Sequence, residues 1–490
     1  MTSCGGLTVA LWSALAVHCL LGLGPATQYT SLNPVASHVK RWIADSMEMA
    51  SEQDRKVEGP AEGTALLELY WAAFSSVYLF GCLCGSLAFG WLARRIGLKQ
   101  TLTVATNALS IGGCLLQFFA VRSGAFAAAL LGRFLVGAAH ALTGKFSVYL
   151  TDCAPDEWRA FVAGSLLASR PFFIASGVLV NVSSLLGTEQ LWTYSFLIPI
   201  PFNVLHALLS TLFTDSPKEL YINAADERRA AQSFQFYRGR EADWSRQMLR
   251  YEREKQLVQN GGAASLRETL SRRWLRWPLL LCVVGCGGSP ATGSDLVNFY
   301  AVSTLQRLGV SAADAALAVL LAVALPTSLA SLLVVAADLF ERMFLSGYAM
   351  GCLAIALLML SDFLGTGMVA TVVCLASLAL CRFAYCWSPF AAALLQSELA
   401  PQQSVSWTAA MSWAAHWLVT LLFSLLYPPL EAAAGPLASL LPMLLVGLTT
   451  TAFLALYLPE TKGKSVEEVV NRWRSGDEAK LQLLGSSQSS

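Results

Sequence analysis

The chain has 490 residues, 55% of them hydrophobic and 13% charged, with a mean hydropathy of +0.53. A soluble protein of that composition would aggregate, so a water-soluble globular domain is excluded. The formal charge of +1 says nothing about partners, and nothing in the chain supports nucleic-acid binding.

A membrane helix needs about 20 mostly apolar residues. About twelve such stretches occur, centred near residues 15, 78, 108, 138, 172, 202, 290, 323, 352, 382, 415 and 446. They fall in two equal groups either side of the charged stretch Asp215 to Arg276. The expected fold is therefore all-α, with twelve transmembrane helices in two six-helix bundles. The boundaries read as an N-terminal bundle over 1–213 (28–63 an extracellular loop), a cytoplasmic helical linker over 214–275, a C-terminal bundle over 276–458 and a cytoplasmic tail over 459–490.

Taken from the start, Leu7 to Gly24 is apolar, but no Lys or Arg precedes Lys40. Without a basic leader the stretch reads as a retained first membrane helix, not a secretory signal. Gln28 to Gly63 carries mixed charges, including Glu48, Glu52, Asp54, Arg55 and Lys56, and reads as a solvated loop. Arg94, Arg95 and Lys99 follow the second span, and the linker is crowded with bases such as Arg228, Arg229, Arg238 and Arg250. Because short basic loops stay inside, these regions and both termini are predicted to be cytoplasmic, in a multi-pass protein of the plasma membrane.

Within the linker, Ala224 to Phe236 and Trp244 to Leu257 are rich in helix formers and predict short surface helices, broken near Asn260-Gly261-Gly262. Pro171, Pro290, Pro326 and Pro389 lie inside spans, where proline kinks a helix and frees backbone carbonyls. The cysteines number 12 and lie mostly in apolar stretches, so they read as small packing residues, not a disulfide framework. Cys82-Leu83-Cys84 has the wrong spacing for structural zinc, and neither metal nor cofactor is expected.

Several spaced motifs then narrow the class. Gly85-Ser86-Leu87-Ala88-Phe89-Gly90-Trp91-Leu92-Ala93-Arg94-Arg95-Ile96-Gly97-Leu98-Lys99 joins the second and third spans. Gly132-Arg133-Phe134 opens the fourth, and Asp152 follows six residues before Trp158-Arg159. Asp215-Ser216-Pro217-Lys218 follows the sixth span, and Pro459-Glu460-Thr461-Lys462-Gly463 the last. Together these resemble the sugar porters of the major facilitator superfamily, and among them the facilitative glucose transporters, from about Leu7 to Val469. The resemblance implies the major facilitator fold and a cytoplasmic latch in which Arg95, Lys99, Asp152, Arg159, Glu398 and Glu460 form ion pairs that hold an inner gate shut. The second half departs from it: Asp338-Leu339-Phe340-Glu341-Arg342-Met343 replaces the family's basic loop, and Val405 stands where an arginine is expected.

The substrate positions depart further. Relatives recognise sugar hydroxyls with neutral amides and a tryptophan, which carry no charge to desolvate. Aligned on the motifs, Leu167 replaces a glutamine, Ser289 to Asp295 replaces Q-Q-L-S-G-I-N, Ala324 an asparagine, Tyr385 a glutamate and Ala393 a tryptophan, while His416-Trp417 stands for N-W. Charge enters instead, since Lys145, Arg170, Arg382, Asp295 and His416 fall within spans. Each full charge in hydrocarbon costs about 2.5 to 3.5 kcal/mol, so these groups should face the interior. Arg170 lies three residues beyond Leu167, hence on the same face and toward the cavity, whereas Lys145 is predicted to point elsewhere.

The substrate-contacting set is expected to be Leu167, Arg170, Ser289, Asp295, Tyr385, His416 and Trp417. Three functions fit. The first is alternating-access transport of a hexose or related polyol across a lipid bilayer; the second is carriage of an anionic solute, facilitated or proton-coupled; the third is a non-transporting sensor. An enzyme is the least expected reading, since Ser289, Asp295 and His416 match no nucleophile signature and no phosphate-binding loop occurs.

Overall fold

The computed structural model describes residues 8–32, 34–47, 65–182, 184–261, 265–311, 315, 340–401, 403–459, 469–471 and 473–474. Among these, every regular element is helical. In a bilayer each backbone polar group must be satisfied internally, which is what long apolar helices achieve. The helices are α1 (Val9–Leu20), α2 (Ala36–Ser46), α3 (Ala65–Ile96), α4 (Leu98–Arg122), α5 (Phe126–Cys153), α6 (Arg159–Val180) and α7 (Pro199–Ser210). Beyond them run the linker helices α8 (Pro217–Ile222), α9 (Glu227–Arg238), α10 (Trp244–Gly261) and α11 (Leu266–Ser271). The second half follows as α12 (Arg273–Gly288), α13 (Ser294–Arg307), α14 (Phe340–Phe363), α15 (Met368–Leu399) and α16 (Val405–Tyr457). Eight helical runs among the described residues are long and apolar enough to cross a membrane. The span expected near residue 323 lies outside the described residues.

One span is interrupted at a proline that the sequence marks, and one long helix is broken between two spans. The span around residue 290 divides into α12 and α13 across a 3-10 turn, Ser289–Thr292, which starts at Pro290 and ends at Gly293 with φ +83°. The long α16 holds two spans that meet at Gly435, where φ is +84° and the helix breaks before Pro436. Glycine tolerates that left-handed φ where a side chain would be strained.

Polar side chains tie the first half together inside the bilayer. His18 Nδ1 of α1 lies 2.9 Å from His206 Nε2 of α7, and His206 reaches Asn107 of α4 at 2.9 Å. Neighbouring helices touch through small residues, with α3 against α5 and α4 against α5.

The segment after the first span is not wholly the solvated loop its charges suggest. Val35, Val39 and Ile43 recur every fourth residue, and α2 buries that stripe on the bundle. Its polar face grips the helices around it: Lys40 pairs with Glu68 at 2.6 Å, Arg41 with Glu189 at 2.8 Å, and Trp42 Nε1 donates to Val121 O at 2.9 Å. Glu48, Glu52, Asp54, Arg55 and Lys56 lie outside the described residues.

The linker is helical over both stretches that composition indicates. Ser216 accepts from Glu219 N to cap α8, and Asp226 accepts from Arg229 N to cap α9. Tyr237 docks α9 beneath the first half, its hydroxyl donating to Thr214 O at 2.8 Å and lying 2.7 Å from the Tyr149 hydroxyl, while its carbonyl accepts from Thr8 Oγ1 at 2.6 Å. Burial pushes its phenol above the ordinary range, so it remains a neutral donor at physiological pH. Tyr237→Phe removes one net hydrogen bond and is expected to cost about 1 kcal/mol, read as a lower unfolding temperature of the detergent-solubilised protein.

Candidate functional site

The two halves meet where α3 lies along α16. Four groups from the first half converge there: Tyr29 from the 3-10 turn Gly24–Tyr29, Tyr78 from α3, His140 from α5 and Arg170 from α6. The second half supplies Ser289 from the break between α12 and α13, Tyr385 from α15, and His416 and Trp417 from α16. Trp417 bridges them, its ring centroid 5.8 Å from His140, 4.9 Å from His416 and 6.4 Å from Tyr29. The lining is aromatic on both sides.

Hydrogen-bond directions fix the histidines. Tyr78 donates its hydroxyl to Pro25 O at 3.0 Å, so at 2.5 Å its oxygen accepts from His140 Nδ1–H. The other ring nitrogen, Nε2, then holds a lone pair and accepts from Arg170 Nη2 at 2.5 Å. In the second half Ser289 donates to Cys286 O at 2.8 Å, which leaves its oxygen to accept from His416 Nδ1–H at 2.8 Å. Each half thus presents one imidazole oriented through Nδ1 by a hydroxyl that is itself anchored to a backbone carbonyl, and His140, which accepts from Arg170, is the neutral one.

Helix α16 carries more than the site. Trp413, His416, Trp417, Ser424 and Tyr427 recur at three-, four- and seven-residue intervals and share one face. At 1.5 Å per residue, Trp413 and Ser424 stand about 16 Å apart along the axis, on opposite sides of the histidine level. On the linker side the Lys145 ammonium lies 5.5 Å from the Trp413 ring and 5.6 Å from Phe89. Toward the far end Ser76 Oγ of α3 donates to Ser424 Oγ at 2.9 Å, and Tyr300 donates to Ser424 O at 2.9 Å while stacking on Tyr427 at 4.6 Å.

Of the sequence-selected residues, Arg170, Ser289, Tyr385, His416 and Trp417 fall in this cluster. The Arg382 guanidinium is buried beside it, 5.5 Å from the Tyr385 ring. Leu167 belongs to α6, Asp295 to the first turn of α13 and Glu398 to the end of α15, but their side chains lie outside the description. Ala324 and Glu460 lie outside the described residues altogether. Arg95 is exposed with its guanidinium 5.9 Å from the Trp91 ring, and Arg159 is exposed at the start of α6. Lys99 donates to Phe213 O, and the Asp152 carbonyl accepts from Arg238 Nη2 at 3.3 Å.

Sequence reading missed Tyr29, Tyr78, His140 and Trp413. Only His140 carried a signal, as an ionisable residue inside a span one turn before Thr143. Lys145, set aside as pointing away, in fact reaches across to the second half.

This architecture superposes on the xylose transporter XylE from E. coli. In a partially occluded inward-open conformation the TM-score is 0.72 at 14% identity, over 94% of this chain and 100% of that one. Against the proton:xylose symporter XylE bound to 6-bromo-6-deoxy-D-glucose it is 0.73 at 17% identity, over 94% and 99%. The fold is that of a major facilitator transporter. Residues 31–473 match the family model described as sugar (and other) transporter, and the chain belongs to that family. It is 27% identical over 426 residues to mouse solute carrier family 2, facilitated glucose transporter member 7, covering 82% of this chain and 79% of the relative. It is also 27% identical over 476 residues to human facilitated glucose transporter member 11, covering 92% and 91%.

Proposed function

We propose that the protein carries a hexose or related polyol across the plasma membrane by alternating access, with the linker and both termini cytoplasmic. The observation that carries this reading is the aromatic cluster at the junction of the halves, where Trp417 joins two oriented imidazoles. Aromatic faces pack on the C–H faces of a sugar ring while fixed donors and acceptors meet its hydroxyls. The names of the relatives and the basic residues Arg94, Arg95 and Lys99 beside the basic linker support substrate class and orientation. In this reading Lys145 against Trp413 closes the cytoplasmic side of the site, and Ser76 with Tyr300 against Ser424 closes the extracellular side. Arg95, Lys99, Asp152, Arg159, Glu398 and Glu460 then act below the inner closure.

Uptake of labelled hexoses into transporter-deficient cells tests it. The expected result is saturable uptake that Trp417→Leu lowers by about tenfold in kcat/KM, the loss of one aromatic contact. Uptake no greater than in empty cells, with the protein shown at the surface, would overturn it.

A further inference from the structure

We propose that the solute bears a carboxylate beside its hydroxyls, making it a sugar acid, and that Arg170 is the residue that selects it. The inference rests on the preceding reading of a sugar-like solute and adds the charge it carries.

Arg170 is positioned but not neutralised among the described residues. Its Nη2 donates to His140 Nε2 at 2.5 Å, and that imidazole is a neutral acceptor whose own proton goes to Tyr78. A guanidinium has five N–H donors, so the contact fixes the group and leaves most of its donors unspent. No described carboxylate pairs with it. Within the spans, Glu68 is held by Lys40 at 2.6 Å, while Asp362, at 3.8 Å, and Glu431 share Arg307. A second cation lies between the halves: the Lys145 ammonium contacts the faces of Trp413 and Phe89 and has no described acid partner.

Arg170 and Lys145 therefore place two cations between the halves with no acid partner among the described side chains. A neutral hexose gives such a cation only ordinary hydroxyl acceptors in return for lost hydration. A carboxylate gives a planar, two-oxygen acceptor that matches the guanidinium fork. The positions aligned with family amides agree with this choice, since Leu167 and Ala324 cannot bond hydroxyls at all. Trp417, Tyr29 and Tyr385 remain to pack against a ring, so the body of the solute stays sugar-like while one substituent is acidic.

The test is uptake by proteoliposomes containing the full chain, with D-glucuronate, D-glucose and the uncharged methyl ester of glucuronate as probes. In the parent, glucuronate is expected to exceed glucose by about tenfold in kcat/KM. Arg170→Gln should lower that ratio by at least about tenfold, and Arg170→Lys should keep part of it. Competition on the parent removes any dependence on how the variants fold: glucuronate should block uptake where its methyl ester does not. Glucose uptake that glucuronate and the ester inhibit equally would overturn the inference and leave the sugar reading standing. Entry of neither glucose nor glucuronate would overturn both.

Discussion

Gly137→Val is expected to abolish accumulation of folded protein. Gly137 lies on α5 where that helix crosses α3, and a Cβ built there would stand 2.0 Å from Tyr78 O. The obstacle is backbone, so no rotamer change relieves it. The next contact up the same seam is equally close: a Cβ at Gly81 on α3 would stand 2.1 Å from Phe134 O. The two helices interlock reciprocally, each glycine receiving the other's backbone, as small residues permit in membrane bundles. Admitting valine forces the helices apart by more than an ångström, which separates Tyr78 from His140 at 2.5 Å and dismantles the Arg170 support. Overpacking ordinarily costs about 1 to 3 kcal/mol, and a backbone collision at this distance exceeds that range. Gly90→Ala, on the same α3 but with nothing within 4 Å of the added carbon, is the matched control. The measurement is the yield of monodisperse protein in size-exclusion chromatography. Parent-like yield from Gly137→Val would show that the seam is looser than described.

The bundle plan was legible because the bilayer imposes it: a long apolar run can satisfy its backbone there only as a helix. The interruption at Ser289–Thr292 was half legible, as Pro290 marked a break but not that Ser289 would orient His416. Helix α2 was hidden because its charges dominate any average, while three apolar residues at four-residue spacing carry the packing. Arg170 was placed toward the interior by counting along one helix, but its partner His140 lies on another, 30 residues away in sequence. Such pairings depend on how two helices are rotated against each other, which periodicity within either one does not encode. Lys145 failed for that reason. Judged by its distance from Thr143 it turns away from the site, and only the approach of α16 brings Trp413 beneath it.

Replacing Ser76 and Ser424 together by cysteine is expected to produce a transporter that oxidation arrests and reduction restores. The two hydroxyl oxygens are 2.9 Å apart, one on α3 of the first half and one on α16 of the second. Their Cβ atoms can therefore reach the separation of about 3.5 to 4.5 Å that a disulfide requires. In alternating access the halves must part at this end to admit solute, breaking both this contact and the Tyr300 bond to Ser424 O. A hydrogen bond yields at a net cost of about 1 kcal/mol, whereas a covalent bridge does not yield at all. With copper phenanthroline, uptake should fall by at least about tenfold, the scale on which a fully trapped state differs from a cycling one. Dithiothreitol should restore it. Each single cysteine variant controls for the native thiols, nine of which are buried among the described residues. Cleavage of the linker between Asp215 and Arg276 shows the bridge directly, because the halves then separate on a denaturing gel only after reduction. If the bridged protein transports at the parent rate, Ser76 and Ser424 do not form a gate, and the opening that admits solute lies elsewhere between the halves.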